Sequence, residues 1–117
     1  TGGFRSKSVM DSAITDGKTD LIGIGRPFIT QPDFPNEMLS GQLEVAPTVE
    51  RDFPPSDTLP RGAVLNWFCC QLTLLGETGT ADLNLPLIDG HERYLEKIES
   101  QTKQLLDARR GLLPLGS

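Results

Sequence analysis

The stretch Asp20-Leu21-Ile22-Gly23-Ile24-Gly25-Arg26-Pro27-Phe28 decides how this chain is read. Its apolar part is short and bounded by turn signals, the pattern of a strand buried on both faces of a parallel sheet. Working outward, Ser6 is placed to cap a helix running to about Asp16, with Val9, Met10, Ala13 and Ile14 on one face. Gly17 stands where a left-handed C-terminal residue is wanted. On the other side a second short helix is expected from Phe34 to Ser40. Asp33 would be its N-cap, Pro35 would fall in its first turn and Gly41 would stop it. The first 41 residues therefore read as half of a βαβα rhythm, an α/β fold.

Beyond that point the composition changes. Residues 42–62 hold Pro47, Pro54, Pro55 and Pro60 among Asp, Ser, Thr and Glu, which predicts an extended surface connection. A helix is expected from Ala63 to Leu75, with Val64, Leu65, Phe68, Leu72 and Leu75 in one stripe, Trp67 and Leu74 widening it, and Gly76 ending it. A last amphipathic helix should run from Pro86 to about Arg109, closed by Gly111 and Pro114. Its apolar stripe includes His91 and Tyr94, the chain's only histidine and tyrosine, and both read as packing residues at helical spacing.

Bulk properties narrow the function classes. The chain has 117 residues, a formal net charge of −5 and 37% hydrophobic residues, values that suit a globular domain or a piece of one. An acidic chain whose only adjacent basic pair is Arg109-Arg110 argues against nucleic acid, since phosphate-backbone binding needs clustered Lys and Arg. The longest largely apolar stretch, Ala63 to Leu75, is interrupted by Asn66, Gln71 and Thr73 and falls short of a membrane span. The adjacent Cys69 and Cys70 read as small reduced core residues, which points to a cytoplasmic protein. No Cys/His spacing suggests a metal. The start, Thr1-Gly2-Gly3-Phe4-Arg5, shows no leader pattern and reads as a chain entered in the middle of a fold.

Two segments carry chemistry: Thr1-Gly2-Gly3-Phe4-Arg5 and Gly23-Ile24-Gly25-Arg26-Pro27-Phe28. Each lies where a strand should give way to a helix, and glycine there lets backbone N–H groups approach an anion. A helix N-terminus just behind would add partial positive charge. Arg26 adds a permanent cation whose fork matches phosphate oxygens. Two such turns in successive βα units describe the phosphate site of many α/β barrels.

The string TGGFRS, then a helix, then DLIGIGRPFITQPDFPNEMLSG resembles the end of the NADH:flavin oxidoreductase, or old yellow enzyme, family. The match covers residues 1–41, and WFCCQLTLLG from Trp67 more loosely resembles the C-terminal extension of fungal-type members. The resemblance implies the C-terminal fragment of a (β/α)8 TIM barrel followed by a helical extension. Residues 1–41 would end the FMN-binding barrel, 42–62 form the Pro-rich connection and 63–117 the extension. A complete barrel takes about 250 residues, so less than half would be here. It also implies FMN as cofactor, NAD(P)H as reductant of the complete parent, and a missing N-terminal barrel portion as partner.

Carried over position by position, the FMN phosphate would be held at Gly2, Gly3, Gly25 and Arg26. Phe4 falls where the family often places an apolar residue beside the flavin's far edge, and packing under the turn explains it equally well. Arg5 is expected at the surface, and Phe28 and Phe34 in the core. The family's substrate-holding histidine pair and its proton-donating tyrosine have no counterpart in the matching residues, so no catalytic residue is assigned. The alternative reading is a non-catalytic remnant or helical interaction module whose two C-terminal helices bind a partner.

Overall fold

The computed structural model describes residues 2–112. Five α-helices follow one another: α1 Lys7–Thr15, α2 Arg26–Thr30, α3 Phe34–Leu39, α4 Ala63–Thr78 and α5 Leu87–Leu112. Two single 3-10 turns, Val49–Asp52 and Ser56–Thr58, punctuate the proline-rich connection. Among the described residues there is no strand, and one isolated antiparallel bridge joins Ser6 to Val45.

This overturns the expected fold class. The described chain is helical and is not an α/β fragment of a TIM barrel. The reason lies in the stretch that opened the sequence reading. A strand exists only through its ladder, because each backbone N–H and C=O along it needs a partner on a neighbouring strand. The described residues offer 20–25 no such neighbour. Among the described residues, one backbone hydrogen bond joins this stretch to a distant segment, from the Gly2 N–H to the Gly23 carbonyl at 3.1 Å. Leu21, read as interior, is 82% exposed, while Ile22 and Ile24 are half-buried.

The helices flanking that stretch form much as local chemistry dictates. Gly17 at φ 69° and Gly41 at φ 81° adopt the left-handed conformation expected after α1 and α3. Ser6 and Asp33 hold the N-cap positions, but neither side chain bonds a helix N–H; Ser6 Oγ lies 2.9 Å from Ser8 Oγ, and Asp33 accepts from the Asn36 amide. Pro27 lies near the start of α2, where a missing N–H costs nothing. Phe34, Met38 and Ala46 form a small buried cluster, with Met10, Ile24 and Leu43 against it. Phe28, expected in the core, is 45% exposed and meets Phe34 edge-on, with ring centroids 4.8 Å apart.

A second cluster is built on the α4–α5 hairpin, where Trp67, Phe68 and Leu87 are buried against Ile29, Val49, Phe53, Leu59 and Val64. The face that α4 buries is not the predicted stripe. Ala63, Trp67, Phe68, Cys70 and Gln71 are buried, whereas Leu65 and Leu72 are exposed. Periodicity could not choose, because α4 is apolar almost all round. Polar pairing supplies the register. Trp67 Nε1 donates to the Leu85 carbonyl at 2.9 Å. The fully buried Gln71 donates from Nε2 to the Asp82 carbonyl at 2.6 Å and accepts the Asp82 N–H at 2.8 Å. A buried amide so satisfied avoids the desolvation cost of unpaired polar atoms.

Gly76, expected to end α4, lies inside it. The stop is Gly79, at φ 81°, whose N–H bonds the Leu75 carbonyl at 2.9 Å. The helix α5 likewise runs through Gly111, and Pro114 lies outside the described residues. From Ile98 to Gly111 every residue of α5 is exposed. The radius of gyration, 19.2 Å, accordingly exceeds the roughly 13 Å of a compact chain of about 100 residues.

Candidate functional site

Although no sheet forms, the two glycine turns still converge. Gly2, Gly3, Gly25 and Arg26 line one solvent-open cavity of about 560 Å³. The Gly2–Gly23 hydrogen bond brings the turns together, and the backbone at Gly2 (φ 80°) and Gly3 (φ 75°) lies in the region that disfavours a side chain. Gly25 differs: its φ is −113°, and a Cβ built there would meet no atom within 4 Å. Neither conformation nor crowding within the described chain demands glycine at this position.

Arg26 begins α2 and lies with its guanidinium carbon 5.2 Å from the centroid of the Phe68 ring. That cation–π contact ties the cavity to α4 and restrains a side chain that is otherwise exposed. Phe4 stands apart from the other candidates. It is half-buried and lines two neighbouring cavities, one of which, of about 360 Å³, also borders Gly2, Gly3 and Arg51.

The rest of the main cavity comes from Arg5, Thr48, Glu50 and Arg51, none of which the sequence reading had selected. Arg5 is not a free surface residue. Its Nη2 bonds Glu50 Oε1 at 2.7 Å with side-chain exposures of 16% and 20%, and its Nη1 donates to the Phe4 carbonyl at 2.8 Å. Arg5 Nε is buried with no hydrogen-bond partner among the described residues. Charge pairing between positions 5 and 50 leaves no periodic trace, so only the folded chain reveals it. The lining holds three guanidiniums against one carboxylate and no aromatic or aliphatic side chain. Three guanidiniums around one opening suit an oxyanion.

His91, Tyr94 and the two cysteines lie on the α4–α5 hairpin. His91 is buried with Nδ1 3.0 Å from Asn66 Nδ2. Tyr94 lies over the α4–α5 seam, and the neighbouring Cys69 pushes its hydroxyl pKa up. Cys69 and Cys70 are free thiols, and burial pushes the Cys70 thiol up. No group of His, Cys, Asp and Glu among the described residues is arranged to hold a metal. No helix among them is long and apolar enough to cross a membrane. Comparison with family models, curated proteins and solved structures found no match for this chain.

Proposed function

We propose that this chain anchors the phosphate of FMN as the C-terminal segment of a flavin-dependent NAD(P)H oxidoreductase of the ene-reductase type. The observation that carries this reading is the convergence of Gly2, Gly3, Gly25 and Arg26 on one positively charged cavity. The resemblance of those same residues to a flavin phosphate site supports it. The guanidiniums fit the phosphate, and no aromatic or aliphatic side chain lines the cavity to stack on the isoalloxazine, so the chain contributes phosphate anchoring alone. Contacts to the ring and to substrate come from an N-terminal portion outside this sequence. Bound FMN supplies the hydride-transfer chemistry, and the protein's share is position and charge. In this chain that share falls to the backbone N–H groups of Gly3 and Gly25 and to the Arg26 guanidinium, while the Gly2 N–H is bonded to the Gly23 carbonyl. The free thiols agree with a cytoplasmic setting.

The test separates phosphate from ring. Amide shifts of the full chain are followed by NMR during titration with FMN, riboflavin and inorganic phosphate. FMN and phosphate should move Gly3 and Gly25 and riboflavin should not, with a weak affinity, on the order of 1 mM. Arg26→Ala should weaken FMN binding about tenfold. Riboflavin binding as tightly as FMN, or unchanged affinity in Arg26→Ala, would overturn the assignment.

A second reading, a helical module that binds a partner, is favoured by one feature. Leu95, Ile98, Leu105 and Leu106 on α5 are each at least 41% exposed.

A further inference from the structure

The geometry points to Arg51 as the second guanidinium of the anion site, making the cavity selective for a doubly charged phosphate monoester over a singly charged phosphodiester. The inference rests on the phosphate reading above and adds a ligand from the proline-rich connection.

Three observations carry it. First, Arg51 borders both cavities that meet at Gly2 and Gly3. Second, the charges do not cancel. Glu50, the one carboxylate of the lining, is bonded to Arg5 at 2.7 Å. Among the described residues neither Arg26 nor Arg51 forms an ion pair. Two positive charges are therefore left in a chain whose formal net charge is −5. A monoester carries about −1.5 to −2 charges at pH 7 and a phosphodiester one, so the monoester matches what the cavity leaves open.

Third, Arg51 is held in place by backbone. Its N–H bonds the Thr48 carbonyl at 3.1 Å within the 3-10 turn. Val49 packs into the Trp67–Phe68 cluster, and the Ala46 N–H bonds the Arg5 carbonyl at 2.7 Å. The turn is thus fastened both to the glycine segment and to α4. A charge carried on a fastened turn loses less freedom on binding than one on a loose loop.

The test uses the full chain at constant ionic strength, with FMN as the monoester probe and riboflavin 4′,5′-cyclic phosphate, a phosphodiester of the same flavin that carries one charge. Arg51→Gln should weaken FMN binding about five- to tenfold and reduce its preference over the cyclic diester, and Arg51→Lys should restore part of the loss. Arg61→Gln, outside the cavity lining, should leave both unchanged. Unaltered FMN affinity in Arg51→Gln, while Arg26→Gln loses it, overturns the role of Arg51 and leaves the phosphate site standing. So does an equal loss for FMN and the cyclic diester. If Arg26→Gln and Arg51→Gln both bind FMN like the unaltered chain, or the unaltered chain shows no FMN shift at all, the phosphate reading itself falls.

Discussion

The cluster around Phe34 and the cluster around Trp67 are built from similar side chains but are finished to different degrees. At Trp67 the aromatic ring meets Phe53 and Phe68 edge-on, both with centroids 5.1 Å away, and its N–H is bonded. Neighbouring Gln71 has both ends of its amide satisfied. Around Phe34 the packing stays open. Phe28 is half exposed, Leu21 and Leu39 are more than 80% exposed, and an apolar groove of about 290 Å³ runs between α1 and α3. The hairpin core is closed by Ile29, Val49, Phe53 and Leu59 from the preceding segments, whereas the glycine-rich segment keeps apolar surface that the described chain does not cover.

Truncation should expose this contrast most strongly. Trp67→Ala should cost about 3–5 kcal/mol, because it removes a buried ring from two aromatic contacts and leaves the Leu85 carbonyl unpaired. Phe34→Ala should cost less, because its neighbours border an open groove and can relax into the space. Urea unfolding of the two variants measures both, and equal losses would erase the distinction.

A smaller effect tests how tightly the hairpin is fitted. A Cβ at Gly90 would come within 2.5 Å of Trp67 Cδ1 and 3.3 Å of Leu85 Cδ2. Alanine ordinarily stabilises a helix by about 1 kcal/mol relative to glycine, but overpacking costs about 1–3 kcal/mol. Gly90→Ala should therefore lower the melting temperature. Gly25→Ala, where a Cβ meets nothing, should leave it unchanged or raise it. A stabilised Gly90→Ala variant would show that the Trp67 pocket has slack.

The smallest expected effect is a pH dependence at Cys70. Its folded-state pKa is raised, first by burial, with Arg93 and Lys97 acting in the opposite direction. The folded state thus retains a proton that the unfolded state releases, so the contribution is complete below the unfolded thiol's pKa, about 8.5. It is lost as pH rises through that value toward the folded pKa. Thermal unfolding at rising alkaline pH should show a steeper stability loss than in Cys70→Ala. Parallel slopes would mean that the thiol is not desolvated as its burial implies.

The sequence by itself determined local conformation and local chemistry. Gly17 and Gly41 had to be left-handed terminators, the proline-rich run 42–62 had to stay without long elements, α1, α4 and α5 were visible from their apolar spacing, and α3 from Asp33, Pro35 and Gly41. So were Gly2, Gly3, Gly25 and Arg26 as candidates, and the fold brings them to one cavity. Tertiary structure decided everything that depended on a partner distant in sequence. Residues 20–25 have the composition of a buried strand but no neighbouring strand to bond, so they remain irregular. The face that α4 buries was chosen by Gln71 and Trp67 meeting the backbone at Asp82 and Leu85, not by its leucines. The pairing of Arg5 with Glu50, and the position of Arg51 beside the glycine turn, arise only when the connection folds back across the first few residues. The physical reason is common to all three. Backbone propensity acts over a few neighbouring residues, while hydrogen-bond pairing, burial and charge neutralisation depend on which distant groups the fold brings within a few ångströms.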